Sequence, residues 1–173
     1  MSATSGHPFS VAALFAEREE RRRRDRHAEE QLKRKEQEDL AEFKSRLDKF
    51  ELTDQRIEAV LGRIRVAFER GETELLLTSF PSGFCTDRGR AVNNAGAPSI
   101  HKPKGGVGQD EDREPEWLAT LPAGARAVYE YWKANLKPGG FGFSARIITF
   151  PGGMPGDVGL FFSWPKSAME GAL

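Results

Sequence analysis

One cysteine, three histidines and two tyrosines are all that this 173-residue chain has of those side chains. A single thiol, Cys85, excludes an internal disulfide and fits a reducing compartment. His7, His27 and His101 are scattered, and with one cysteine they cannot supply the tightly spaced ligands of a zinc site. Proline and glycine are absent from Val11 through Leu61, so nothing there forces a turn. A membrane-spanning run is missing: "FSVAALFA", Phe9 to Ala16, is too short to cross a bilayer. Its arginines follow the apolar run, which is the wrong polarity for a signal peptide. Net charge is missing as well, since Lys+Arg and Asp+Glu each total 26. That balance removes the simplest argument for nucleic-acid or anionic-membrane partners. The expectation is a cytoplasmic, soluble protein with no membrane partner, no cofactor, no metal and no catalytic set.

The charge that is present is concentrated. Twelve acidic and twelve basic residues fall between Glu17 and Glu51, in a stretch of strong helix formers. With residues 1–9 as a flexible start and Ser10 as N-cap, the spacing predicts a charged helix over 10–52, roughly 60 Å long. Glu17/Arg21, Glu19/Arg23, Glu20/Arg24, Glu29/Lys33, Glu30/Arg34 and Glu42/Arg46 are acid-first pairs four residues apart. Each is worth roughly 0.2–0.5 kcal/mol, about 1–3 kcal/mol together. Leu40, Phe43, Leu47, Phe50, Ile57, Leu61, Ile64 and Phe68 follow heptad spacing with Asp54 at a skipped position, a partial coiled-coil seam. "LTDQR" offers the alternative of two helices, the second capped by Thr53.

The fold class expected is α+β: the long helix, then a small domain over 53–166 with about three strands and two to three helices, then a flexible tail over 167–173. "DQRIEAVLGRIRVAFERG" ends at Gly71, a natural C′ residue. "ETELLLTSF" reads as an inner strand buried on both faces, because Leu75, Leu76 and Leu77 are consecutive. "CTDRGRAVNNAG" reads as a short helix capped by Thr86, and residues 96–116 as a mobile loop. Pro122 opens a further helix with Val128, Tyr131, Trp132 and Leu136 as its apolar stripe. "FGFSARIITF" and "VGLFFSW" alternate as strands and close the domain as an antiparallel hairpin. Between them "FPGGMPGD" reads as two type II turns, at Pro151-Gly152 and Pro155-Gly156.

Candidate chemistry is thin. "PKGGVGQDE" lacks the Lys-Ser/Thr that a P-loop places after its glycines. Gly152, Gly153 and Gly156 form a potential anion nest, which Asp157 opposes. Cys85, beside Asp87 or with His101, is a candidate nucleophile against the plainer reading of a small buried residue. "GGFGFSAR" resembles the RNP1 octamer at Gly140, Phe141, Gly142 and Phe143. It departs from that motif at Gly139, Ser144 and Arg146. Together with Arg21, Arg22, Arg23 and Arg24, the residues Phe141, Phe143 and Arg146 make a candidate nucleic-acid contact through an exposed Phe strand.

The strings "SFPSGFCTDRGRAVNNA" and "FPGGMPGDVGLFFSW" resemble a family of small bacterial proteins of unknown function, over roughly Ile57 to Trp164. The resemblance implies a charged helical N-terminus ahead of a compact α/β region and no known activity. It points to the polar cluster Cys85, Thr86, Asp87, Arg88, Arg90, Asn93, Asn94 and Asp157 as a site. The function expected is that of an interaction or adaptor protein whose helix self-associates or binds a protein partner. Nucleic-acid binding is the first alternative, and a small enzyme centred on Cys85 the second.

Overall fold

A computed structural model describes residues 9–96 and 113–167. Residues 1–8 of the flexible start expected over 1–9, most of the loop expected over 96–116 and residues 168–173 of the tail expected over 167–173 lie outside the described residues, as do His7 and His101. The chain divides into two compact units, Met1–Phe43 and Lys44–Leu173. The class is α+β.

Helix α1 runs Val11–Asp48. Ser10 caps it, its Oγ accepting from the Ala13 amide at 3.1 Å. No residue of α1 is buried. Of the six expected ion pairs, Glu29–Lys33 closes, at 3.0 Å.

The expected helix over 10–52 stops short, and two helices form. Thr53 is the N-cap of α2, Asp54–Glu69, its Oγ1 accepting from the Arg56 amide at 3.4 Å. Arg56 turns back to donate to the Glu51 carbonyl at 2.6 Å and covers the Phe50 ring at 4.6 Å. These contacts fix the connection without glycine or proline. They also end the heptad seam, since no continuous helix carries Phe50 into register with Ile57. Gly71, at φ 77°, closes α2, with Glu72 N donating to the Ala67 carbonyl at 3.0 Å.

The sheet has the order β1-β3-β2 and is antiparallel throughout, with β1 Glu74–Pro81, β2 Gly142–Ile147 and β3 Asp157–Ser163. The leucine run is therefore at an edge, a correction to the inner strand expected. The register shifts between Leu76 and Thr78, so Leu77 is an extra residue in a bulge. Leu75 and Thr78 share the face of Phe162 and Leu160, while Leu76 pairs with Phe161 on the other face. Three consecutive leucines thus go to two faces and a bulge. Arg63 of α2 donates to the Leu76 carbonyl at 2.7 Å and to the Leu77 carbonyl at 3.4 Å.

The inner strand is β3, whose Val158, Leu160 and Phe162 are 0 %, 0 % and 1 % exposed. Phe162 meets Phe143 edge to face at 5.7 Å. Around Phe143 lie Trp117, Tyr129 and Trp132, at 5.9, 5.6 and 5.7 Å. Helix α4, Ala123–Tyr131, continues through a π turn, Trp132–Leu136, and ends in a 3₁₀ turn before Gly140 at φ 92°. Its buried stripe is Ala125, Tyr129, Trp132 and Leu136. Tyr129 takes the place expected for Tyr131, and Val128 is half-buried.

The start of α4 meets the last turn of α1. Asp48 Oδ1 accepts from the Ala123 amide at 3.4 Å, a cap supplied by another helix. Gly124 allows this approach, because a Cβ there would strike the Leu47 carbonyl and the Phe50 Cβ.

Candidate functional site

The two distinctive strings meet. Ser82, 7 % exposed, donates its amide to the Gly156 carbonyl at 2.7 Å and its hydroxyl to the Pro155 carbonyl at 3.0 Å. The β2–β3 connection is thereby a built turn held by its own amides. Gly153 N donates to Phe150 O at 3.1 Å, Met154 N to Pro151 O at 3.2 Å, Gly156 N to Thr149 O at 2.9 Å and Asp157 N to Thr149 Oγ1 at 2.8 Å. Gly152 has the positive φ of 61° that a Pro-Gly type II turn requires. Gly156 does not have a positive φ, so the second type II turn is absent; a side chain there would meet Thr149 and Pro151. With these amides engaged, the glycines do not form the open nest an anion needs.

Within the eight-residue cluster the structure separates roles. Asp87 caps the seven-residue helix α3, Arg90–Gly96, with Oδ1 accepting from Gly89 N at 3.0 Å and Oδ2 from Ala91 N at 2.8 Å. Thr86, expected as the cap, instead donates its amide to the Thr120 carbonyl at 2.9 Å. Thr86 is too early because Arg88 and Gly89, at φ 58° and 80°, turn the chain before the helix begins.

Asp87, Arg90 and Asn94 line one cleft of about 460 Å³, with Pro115, Glu116 and Trp117 as the facing wall. Thr86, Arg88 and Asn93 are exposed and are not part of its lining. Asp157 opens β3, where it pairs with Pro81 and accepts from Ile148 N at 2.8 Å. No local pattern marks Glu116 and Trp117, which reach the cleft through tertiary packing, Trp117 being held by Tyr129 and Phe143.

The chemistry of this cleft is limited. Cys85 is a buried free thiol, 3 % exposed. Burial, with the nearby Asp87 carboxylate adding to it, pushes its pKa up from 9.0 to about 11. Both oxygens of Asp87, one of the two partners expected for that thiol, already accept amides. Among the described residues no group of three or more His, Cys, Asp or Glu is placed to hold a metal ion.

The Cys85 thiol in the folded protein is expected to react with an aromatic disulfide reagent at pH 8 about a hundredfold more slowly than in urea, because the rise of its pKa from 9.0 to about 11 lowers the thiolate fraction by that factor. A raised acid pKa stabilises the fold fully below 9 and loses that contribution as pH climbs through about 11. Tyr129, also raised by burial, acts in the same direction. Unfolding temperature is thus expected to fall above pH 9. Equal thiol rates in native and unfolded protein would overturn the assignment.

The candidate nucleic-acid residues fall in both units. Arg21, Arg22, Arg23 and Arg24 are exposed on α1. Successive helical residues are about 100° apart, so four in a row point around the helix and do not form one stripe. Phe143 is not an exposed stacking platform, since four aromatic rings surround it. Phe141 stands edge-on to Trp164 at 6.2 Å. Arg146 forms a two-pronged bond to Glu74, at 2.7 and 3.0 Å, and lies 3.8 Å over the Phe161 ring. It is therefore committed to tying the two outer strands together across β3.

Among the described residues no helix is long and apolar enough to cross a membrane. Comparison of the chain with protein-family models, curated proteins and solved structures returns no match.

Proposed function

We propose that the protein is an interaction protein whose contact element is α1, acting first through self-association and otherwise through a protein partner. The observation that carries this reading is a helix of 38 residues with none buried, on which Leu32 and Leu40 stand 59 % and 46 % exposed. Helices in water draw most of their stability from packing an apolar face. Ion pairs at α1 contribute little, because five of the six expected pairs stay open and exposed pairs are worth well under 1 kcal/mol each. A second α1 would cover Leu32 and Leu40. The setting proposed is cytoplasmic, in keeping with one buried, unpaired thiol.

Light scattering behind size exclusion is expected to give twice the mass of the 19.3 kDa chain. Leu32→Glu with Leu40→Glu is expected to return it to one chain without loss of the C-terminal fold. A strict monomer at high micromolar concentration that retains full helix content would sink the self-association reading.

A further inference from the structure

The first turns of α1 carry a second feature. Val11, Leu14 and Phe15 are 69 %, 47 % and 58 % exposed. At about 100° per residue they share one face with Arg18, Arg22 and Arg26, and Arg21 flanks it. Glu20 lies opposite and Glu17 well to the side; Glu19 flanks the face on the side away from Arg21, Asp25 lies on it between Arg22 and Arg26, and Glu29 lies on it further along. Arg18 sits over the Phe15 ring at 5.2 Å. Arg26 pairs with Glu19 at 3.5 Å. Arg18, Arg21, Arg22, Arg23 and Arg24 have no carboxylate within ion-pair distance among the described residues.

We propose that Val11–Arg26 docks on an anionic lipid surface. Val11, Leu14 and Phe15 enter the acyl boundary, and Arg18, Arg21 and Arg22 lie at the level of the lipid phosphates. An apolar triad followed on the same face and its flank by arginines that lack carboxylate partners offers a lipid surface both an insertion point and groups that bind its phosphates. Guanidinium groups bind phosphate in two-pronged fashion, and their stems reach up from the acyl boundary. A nucleic acid would satisfy the arginines but leave the triad in water. Overall neutrality does not oppose the contact, because charges further than about 8 Å from the surface are screened at physiological salt. The inference rests on α1 as a contact element and not on self-association.

The test is sedimentation of the full chain with vesicles of phosphatidylcholine alone, and of phosphatidylcholine containing phosphatidylserine, at low and high salt. Binding is expected to the anionic vesicles, to be released by salt, and to be about tenfold or more weaker on the neutral ones. Phe15→Glu, and separately Arg18→Ala with Arg22→Ala, are expected to weaken it about tenfold or more with helix content and oligomeric mass unchanged. All these positions are exposed, so folding is not at stake. No binding to anionic vesicles overturns the proposal. So does equal binding to both compositions, indifference to Phe15→Glu, or capture by an RNA duplex alone. A self-associating chain that ignores vesicles overturns this inference and leaves the function proposed above standing; a vesicle-binding monomer supports this inference and removes the self-association reading alone.

Discussion

Phe162→Ala is expected to lower the unfolding free energy by about 3–5 kcal/mol and the melting temperature by on the order of 10 °C. Phe162 is 1 % exposed in the middle of β3. It faces Leu75 of β1 on one side and Phe143 of β2 on the other. Both neighbours are held by strand pairing, so the backbone cannot close over the space left by a lost ring. The cavity would also loosen Phe143, on which Trp117, Tyr129 and Trp132 converge. Phe150→Ala is the control, because Phe150 is 54 % exposed and its loss is expected to change stability by about 0.5 kcal/mol or less. Urea denaturation of both variants measures the contrast. Equal destabilisation would show that the core is not where β3 places it.

The second large effect is one of sign. Glycine to alanine inside a helix ordinarily stabilises by roughly 0.5–1 kcal/mol. Gly62→Ala in α2 is expected to do so, because nothing lies within 4 Å of the added methyl. Gly124→Ala is expected to destabilise by about 1–3 kcal/mol. There the methyl would meet the Leu47 carbonyl, backbone that cannot swing aside, and would lie 2.8 Å from the Phe50 Cβ. Relieving the clash separates α4 from the last turn of α1 and removes the Asp48 cap from Ala123. Thermal melts of the two variants decide the matter: opposite shifts support the close approach at Gly124, and a stabilised Gly124→Ala refutes it.

The legible parts of this fold were those set by local chemistry. Ser10 and Thr53 are hydroxyls ahead of good helix formers, and both cap. The alternation in Phe143–Ile147 and Val158–Phe162 carries a period of two, and both segments are strands. What the sequence concealed depends on partners distant along the chain. Leu75–Leu77 carries no mark of a bulge, so its edge position emerges only from pairing with Leu160 and Phe161. Tyr129 and Tyr131 are two residues apart on one helix, and Trp117 and Phe143 decide which is buried. At the candidate cleft, Asp87, Arg90 and Asn94 were visible as a polar string. Their facing wall of Glu116 and Trp117 was not, because it comes from beyond a long connection. Cys85 was legible as a small buried residue ahead of a short helix, and it is buried.

Arg63 has a bearing on how the protein behaves at high concentration. An outermost strand with bare carbonyls is a template on which further chains can add, the first step toward fibrils. On β1 the Leu76 and Leu77 carbonyls already accept from one guanidinium, and the bulge beside them breaks the regular spacing an incoming strand would need. Along that stretch of β1 the guanidinium from the neighbouring helix and the bulge together oppose the addition of a further strand.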